Sequence, residues 1–353
     1  MIKEVEINNF RCFGHSKFSG FSRINLIGAQ NNGGKTAFLE ALYLNHSPQV
    51  STLMQLRGMN QEVIKAYPEK AWDNLFLNQD KQSPITITSL DDENTANRLT
   101  LEVGQSKLAT QDSLSEVLLH DAESEIAILN FTSQIDDNIR PLVSLVAHSE
   151  GVLVKTNGAK LDDLNLKTIS FIPAIGNASP KSLAKLFDKC YLKGHCDTVL
   201  KAFQLIDSSI NNAITLNIGE PLLYIERQRG NVMPLSVFGD SLNRVADLFL
   251  KSVNTPAGIM LIDEIENGIH HTKQKALWEM LLDKTLNVQI FATTHSLEML
   301  QAFTEAALES DIGDECAYFK LARHIKTGEI LGMKHDLDIL DYGLTHHKGV
   351  RGA

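Results

Sequence analysis

The sequence predicts an α/β chain built on a largely parallel sheet with helices on both faces, and three observations carry that expectation. At Ile24–Leu42 (INLIGAQNNGGKTAFLEAL) an apolar run passes into a glycine-rich loop and then into helix-period residues. At Gly258–Ile262 a second apolar run ends abruptly in Asp263 and Glu264. From Leu242 to Glu309 helical and strand patterns alternate, which requires crossover helices packed on a parallel sheet.

Taken in order, Ile2–Ile7 and His15–Phe18 read as short strands around the turn Asn9–Gly14, so the chain opens on a mixed N-terminal sheet. Ile24–Ile27 is a buried strand, and Phe38, Leu39 and Leu42 recur at helical spacing behind the loop. A turn-broken helical region follows to Asn78, then strands at Pro84–Thr88 and Leu99–Val103. The interval Gln105–Gly158 is polar and mixed, without repeats or the sustained apolar heptads of a coiled-coil arm. Thr168–Pro173 reads as a strand, Ser182–Asn211 as two helices, and Leu222–Glu226 as a strand before a turn at Gly230. Beyond Leu235 come a helix (Leu242–Val253), a strand (Ile259–Ile262), a helix (Lys273–Lys284), a strand (Val288–Thr293) and a helix (Leu297–Glu309). Three segments are expected: 1–88 and 221–353 as the two parts of one core, and 89–220 as a mainly helical insertion.

Composition narrows the class. The chain is 43% hydrophobic over 353 residues, ample for a large core, and has no apolar run of membrane-spanning length. MIKEVEINNF alternates charge with apolar residues, unlike a signal peptide, so a cytoplasmic protein is expected. Cys12, Cys190, Cys196 and Cys316 are scattered and fit no zinc knuckle, which makes them free thiols. A net charge of −10 argues against a general nucleic-acid coat, leaving room only for a local basic groove. The lysines of Lys160–Lys167 and Lys181–Lys193 are interspersed with acids and read as solvated faces.

The loop residues suit phosphate. Gly33 and Gly34 lack a Cβ, so the backbone N–H groups of Asn31, Asn32, Gly33, Gly34 and Ala37 can close around oxygen atoms at a helix N-terminus. Lys35 adds a point charge, and the Thr36 hydroxyl can ligate Mg²⁺. Ala29 stands where the first glycine of the usual phosphate-loop pattern falls, with Gly28 just before it. At the C-terminal end of its strand, Asp263 would support the ion and Glu264 would polarise an attacking water. Val288–Ser296 (VQIFATTHS) ends in His295, which could bond a γ-phosphate. Ser236 and Gly239 precede a helix whose positive end would face phosphate, with Asp240 or Ser241 as its cap.

Together Lys35-Thr36, Ser236–Gly239, Asp263-Glu264, Glu266-Asn267-Gly268 and Thr294-His295-Ser296 resemble, in order, the Walker A, signature, Walker B, D-loop and H-loop of ABC-type ATPases of the RecF, SMC and OLD kind. NNFRCF, IGAQNNGGKTAFLEAL, LIDEIENGIHH and QIFATTHSLEML bring the chain closest to short bacterial ATPases of anti-phage defence loci. The resemblance covers roughly half the chain and implies a P-loop NTPase head, ATP with Mg²⁺, and a head-to-tail homodimer with two ATP between protomers. Lys35, Thr36, Asp263, Glu264 and His295 would come from one chain, and Ser236 with Gly239 from the other, while Asn267 is a further nucleotide-binding candidate. Arg11 resembles a nucleotide-contacting position, or else forms a structural ion pair. The signature is one residue longer between Ser and Gly than LSGGQ, and Gln79 and Gln82 are the candidates for a Q-loop glutamine. Asp336-Leu-Asp338 has the look of a TOPRIM metal pair but lies in a segment too short for that fold, so it reads as a surface turn.

The function that follows is an ATP-hydrolysing dimer, open to higher assembly, that senses phage or altered DNA and gates a separately encoded nuclease or toxin. Two competitors stand beside it: a RecF-like repair ATPase that binds DNA directly, and a non-catalytic nucleotide-gated scaffold. Glu264 weighs against the scaffold, because a site without turnover needs no base.

Overall fold

A computed structural model describes residues 1–29, 32–105, 127–156, 164, 166–176, 178–228 and 230–346. The order begins β1 (Ile2–Phe10), β2 (Phe13–Ser19), β3 (Ile24–Ala29), α1 (Lys35–His46), α2 (Val50–Leu53), α3 (Gln61–Ala66), β4 (Ile85–Asp91) and β5 (Ala96–Gln105). It continues β6 (Ala127–Ile135), β7 (Asn138–His148), β8 (Gly151–Thr156), β9 (Ile169–Ile172), α4 (Pro180–Leu192), α5 (Cys196–Ile206), β10 (Ile210–Ile218), β11 (Glu220–Arg227) and β12 (Val232–Pro234). It closes α6 (Asp240–Asn254), β13 (Gly258–Ile262), α7 (His271–Leu281), β14 (Val288–Thr294), α8 (Leu297–Glu309), β15 (Cys316–Arg323), β16 (Ile330–His335) and α9 (Leu337–Thr345).

Six strands form the central sheet in the order β16-β15-β3-β14-β13-β9, parallel throughout except for β16 at one edge. Strand alternation divides its two faces. Met260 and Ile262 of β13 and Ile290 and Ala292 of β14 join the core under the helices α4 to α8. Ile259, Leu261 and Phe291 point the other way, into a second core with α1 and the N-terminal strands. There Phe21 packs on Phe38, Phe291 and Phe319, with ring centroids 5.7, 5.1 and 4.7 Å away. Helix α1 is therefore sandwiched between two sheets, which explains its nearly all-round burial and fixes the loop in front of it.

The second sheet is antiparallel and seven-stranded, β2-β1-β4-β5-β6-β7-β8, and a three-stranded sheet β10-β11-β12 lies beside the helices. The α/β fold with a mixed opening sheet and a parallel core is as expected, but the stretch 89–220 is not mainly helical. Among its described residues the helices are α4 and α5, while β5 to β8 extend the sheet begun by β1. Residues 106–126 and 157–163 of that stretch lie outside the described residues, including Lys160 of the first lysine segment. Lys167 of the same segment pairs with Asp91 at 3.6 Å. All four cysteines are free, and burial pushes the Cys190 thiol up to about 12. No helix among the described residues is long and apolar enough to cross a membrane.

Candidate active site

The site lies where the C-terminal ends of β3, β14, β13 and β9 meet the N-terminus of α1, the edge at which open parallel sheets receive ligands. Gly34 caps α1 with φ +87°, a left-handed conformation that a side chain resists. Asn32 before it also has positive φ, +60°, so the loop takes left-handed backbone at two nearby positions. Asn31 lies outside the described residues. Gly33 is half-buried in the turn between them, and Ala37 is buried in the first turn of the helix. The Lys35 ammonium donates to the Ala29 carbonyl at 3.2 Å, folded back over the loop. Burial lowers its pKa, and the nearby carboxylates of Glu264, Asp263 and Glu266 oppose that shift.

The two ends of the chain meet here. The Thr36 hydroxyl donates to the Asp263 carboxylate, 2.7 Å from Oδ2 and 3.0 Å from Oδ1, across 227 positions of sequence. Asp263 is 2% exposed, and Thr293 on β14 also donates to its Oδ1 at 2.7 Å. The Thr293 oxygen in turn accepts the Glu264 N–H at 2.8 Å. Glu264 has φ +48°, a sterically disfavoured backbone for a residue with a Cβ, held in place by these bonds. Its Oε2 accepts from the Asn267 amide at 3.0 Å, and its Oε1 lies 3.8 Å from Nδ1 of His295.

His295 is positioned by a residue that the sequence reading assigned no role of its own. Glu266 accepts the His295 backbone N–H at 2.8 Å and sits 2.9 Å from its Nδ1. That carboxylate holds the Nδ1 proton and leaves Nε2 as the ring nitrogen for a ligand. Arg244, on α6, is the second unassigned residue. Only 3% exposed, it donates to the carbonyls of Pro173 (2.7 Å), Asp263 (2.7 Å) and Glu264 (3.3 Å). The helix behind Ser236 and Gly239 is thereby tied to the backbone that carries both acids. The sequence carries no signal of this role, because the helical neighbours Asp240, Ser241 and Asp247 are polar and make Arg244 read as a solvated position.

Ser236 and Gly239 are exposed, and no described hydrogen bond links them to Lys35 or Thr36 of the same chain. Gly239 itself is the N-cap of α6, without a side-chain cap, where Asp240 or Ser241 had been expected. The Asn243 amide holds this corner from behind, donating to the Leu235, Phe238 and Gly239 carbonyls at 3.3, 2.9 and 3.2 Å. A Cβ on Gly239 would meet nothing within 4 Å, so the corner faces open space.

Arg11 takes the ion-pair alternative. It lies 2.9 Å from Glu40 of α1, a carboxylate 1% exposed, and donates to the Arg57 carbonyl at 2.6 Å. Burial lowers the pKa of Arg11 and raises that of Glu40, and each charge opposes the other's shift. Gln79 and Gln82 are both exposed, and neither side chain bonds to the residues gathered here among the described residues. Asp336 accepts the Asp338 N–H at 2.9 Å as the N-cap of α9, the surface turn expected of the D-x-D pair.

Residues 26–300 match the family described as AAA domain, putative AbiEii toxin, Type IV TA system. Over 369 residues the chain is 26% identical to a Helicobacter pylori (strain ATCC 700392 / 26695) protein named ATP/GTP phosphatase, covering 91% of this chain and 92% of that one. Among solved structures, an SMC head bound to the C-winged helix domain of ScpA superposes with a TM-score of 0.51 at 12% identity, covering 96% and 98% of the two chains. An SMC head with an extended coiled coil, derived from Pyrococcus furiosus, gives 0.49 at 10% identity, covering 98% and 99%. At 12% identity the likeness to the first head is one of fold.

Proposed function

The chain belongs to this AAA-domain family and is an ATPase, and from that premise we propose that it works as a nucleotide-closed homodimer regulating a separately encoded effector. The observation that carries the reading is the Thr36–Asp263 hydrogen bond, which joins the phosphate loop to the acidic strand end in one pocket. Lys35 and the loop amides bind the phosphates, Glu264 accepts a proton from the attacking water, and His295 reads the γ-phosphate through Nε2. The Thr36 hydroxyl and Asp263 carboxylate, 2.7 Å apart, are hard oxygen donors of the kind Mg²⁺ prefers. Held by these two residues, that ion would supply charge neutralisation at the triphosphate.

The exposed corner at Ser236–Gly239, which caps α6 without a side chain, supports closure by a second copy, because no described hydrogen bond ties it to Lys35 or Thr36 of its own chain. ATP then acts as a cross-link whose leverage equals its differential affinity for closed and open dimers. The family's description as a putative AbiEii toxin of a type IV TA system supports a place in a toxin–antitoxin pair, in which the second component is a separate protein. The SMC head whose fold this chain shares is itself bound to a winged-helix domain of another protein.

The test is ATP hydrolysis by the native chain and by Glu264→Gln. Turnover should fall about 10²–10⁴-fold, the contribution of a general base, while nucleotide binding is retained. Equal rates would refute the assignment of Glu264. ATP-dependent copurification of a neighbouring gene product with Glu264→Gln tests the effector, and no such capture removes that part of the reading.

A further inference from the structure

Helix α4 carries a charge pattern that the ATP chemistry does not use. Lys181, Lys185, Lys189 and Lys193 recur at every fourth position and are all exposed. At 3.6 residues per turn each step advances about 40°, so the four occupy an arc of about 120°. Leu183, Ala184, Phe187 and Cys190, the buried residues of the helix, lie on the opposite side. None of the four lysines forms an ion pair with a described residue. Every consecutive pair is instead a like-charged i,i+4 pair, an arrangement that destabilises a helix. Residues 180–206 hold five lysines against two aspartates, +3, within a chain of net −10. Tyr191 and Leu192, 70% and 86% exposed, stand at the C-terminal end of the same helix.

With Asp188 as the one acid on the helix, a file of four like charges is complementary to a regular line of negative charge. The file spans about 18 Å at 1.5 Å per residue. One strand of a duplex presents a phosphate about every 3.4 Å of axis, so the helix faces roughly five of them. We propose that this face of α4 docks the phosphate backbone of a nucleic-acid duplex, without base readout. The proposal does not rest on the dimer reading. It adds a second binding surface, on a helix that packs directly against α6 and so adjoins the element that carries Arg244.

The experiment is fluorescence anisotropy of the full chain, without nucleotide, on labelled 30-base-pair DNA and RNA duplexes across a potassium chloride series. The four-site variant K181E/K185E/K189E/K193E should bind at least about tenfold more weakly. Its slope of log affinity against log salt should be shallower by about 3 to 4, since each neutralised phosphate contributes about 0.9. Its basal ATP hydrolysis should match the native chain, which serves as the folding control; should it fail to fold, the Lys→Gln set replaces it with the same expected direction. The DNA and RNA arms identify which duplex supplies the phosphates. Native protein that binds neither duplex, or variants with unchanged affinity and slope, would each overturn the proposal.

Discussion

The half of the site made by Thr36, Asp263, Thr293, Glu264, Glu266 and His295 is closed on itself, whereas the corner at Leu235–Gly239 is equally well held from behind but open in front. In the first, hydrogen bonds run from Thr36 through Asp263 and Thr293 to Glu264. In the second, Asn243 holds the backbone from behind while Ser236 and Gly239 are exposed. Under the proposed closure by a second copy, that contrast makes the two regions unlike halves of one site, the first gripping the nucleotide and the second covering it.

The comparison breaks most visibly at Ser236. Placing a charge there with Ser236→Arg should leave nucleotide binding to the single chain intact but cost turnover about a hundredfold, because an unpaired charge buried at a closing interface costs several kcal/mol. Steady-state hydrolysis beside nucleotide titration checks this; unchanged turnover would place the open corner outside the reaction. Next comes Arg244. Arg244→Met leaves the carbonyls of Pro173 and Asp263 without their charged donor, and should lower stability by about 2 kcal/mol in a urea melt. Arg244→Lys should recover part of the loss, and kcat should fall more than KM rises in both. A KM effect alone would mean that Arg244 supports binding rather than the acids.

The smallest effect lies away from the site. His46, at the end of α1, is held neutral by burial, its pKa lowered to about 4. The unfolded chain, with an ordinary histidine, takes up that proton at higher pH than the folded one. Stability from this residue is thus full above about pH 6.5 and is lost as pH falls toward 4, by about 1 kcal/mol between pH 7 and 5.5. Urea midpoints across that range, flattened in His46→Gln, provide the check.

What the sequence disclosed follows from how local each signal is. The phosphate loop and the acidic strand end are contiguous stretches whose chemistry stands in the residues themselves, and β3, β13 and β14 are short apolar runs. β7 escaped because its alternation is blurred. β7 buries Leu142, Val143, Leu145, Val146 and Ala147 almost in succession and contains Pro141, so it shows no period of two. Arg244 and Glu266 escaped for a different reason: an arginine on an amphipathic helix and an acid in a polar loop read as solvated until the partners folded against them are known. The cap of α6 was misplaced by one or two residues because Gly239 occupies it without a side chain to announce it.

The most direct test of a site shared between two copies is to mix two inactive variants, Lys35→Ala, disabled in the loop half, and Ser236→Arg, disabled in the open half. Each mixed pair contains one pocket with both lesions and one with none, so the mixture should regain ATP hydrolysis that neither variant shows alone. Hydrolysis in the mixture no greater than the sum of the separate variants would contradict the account.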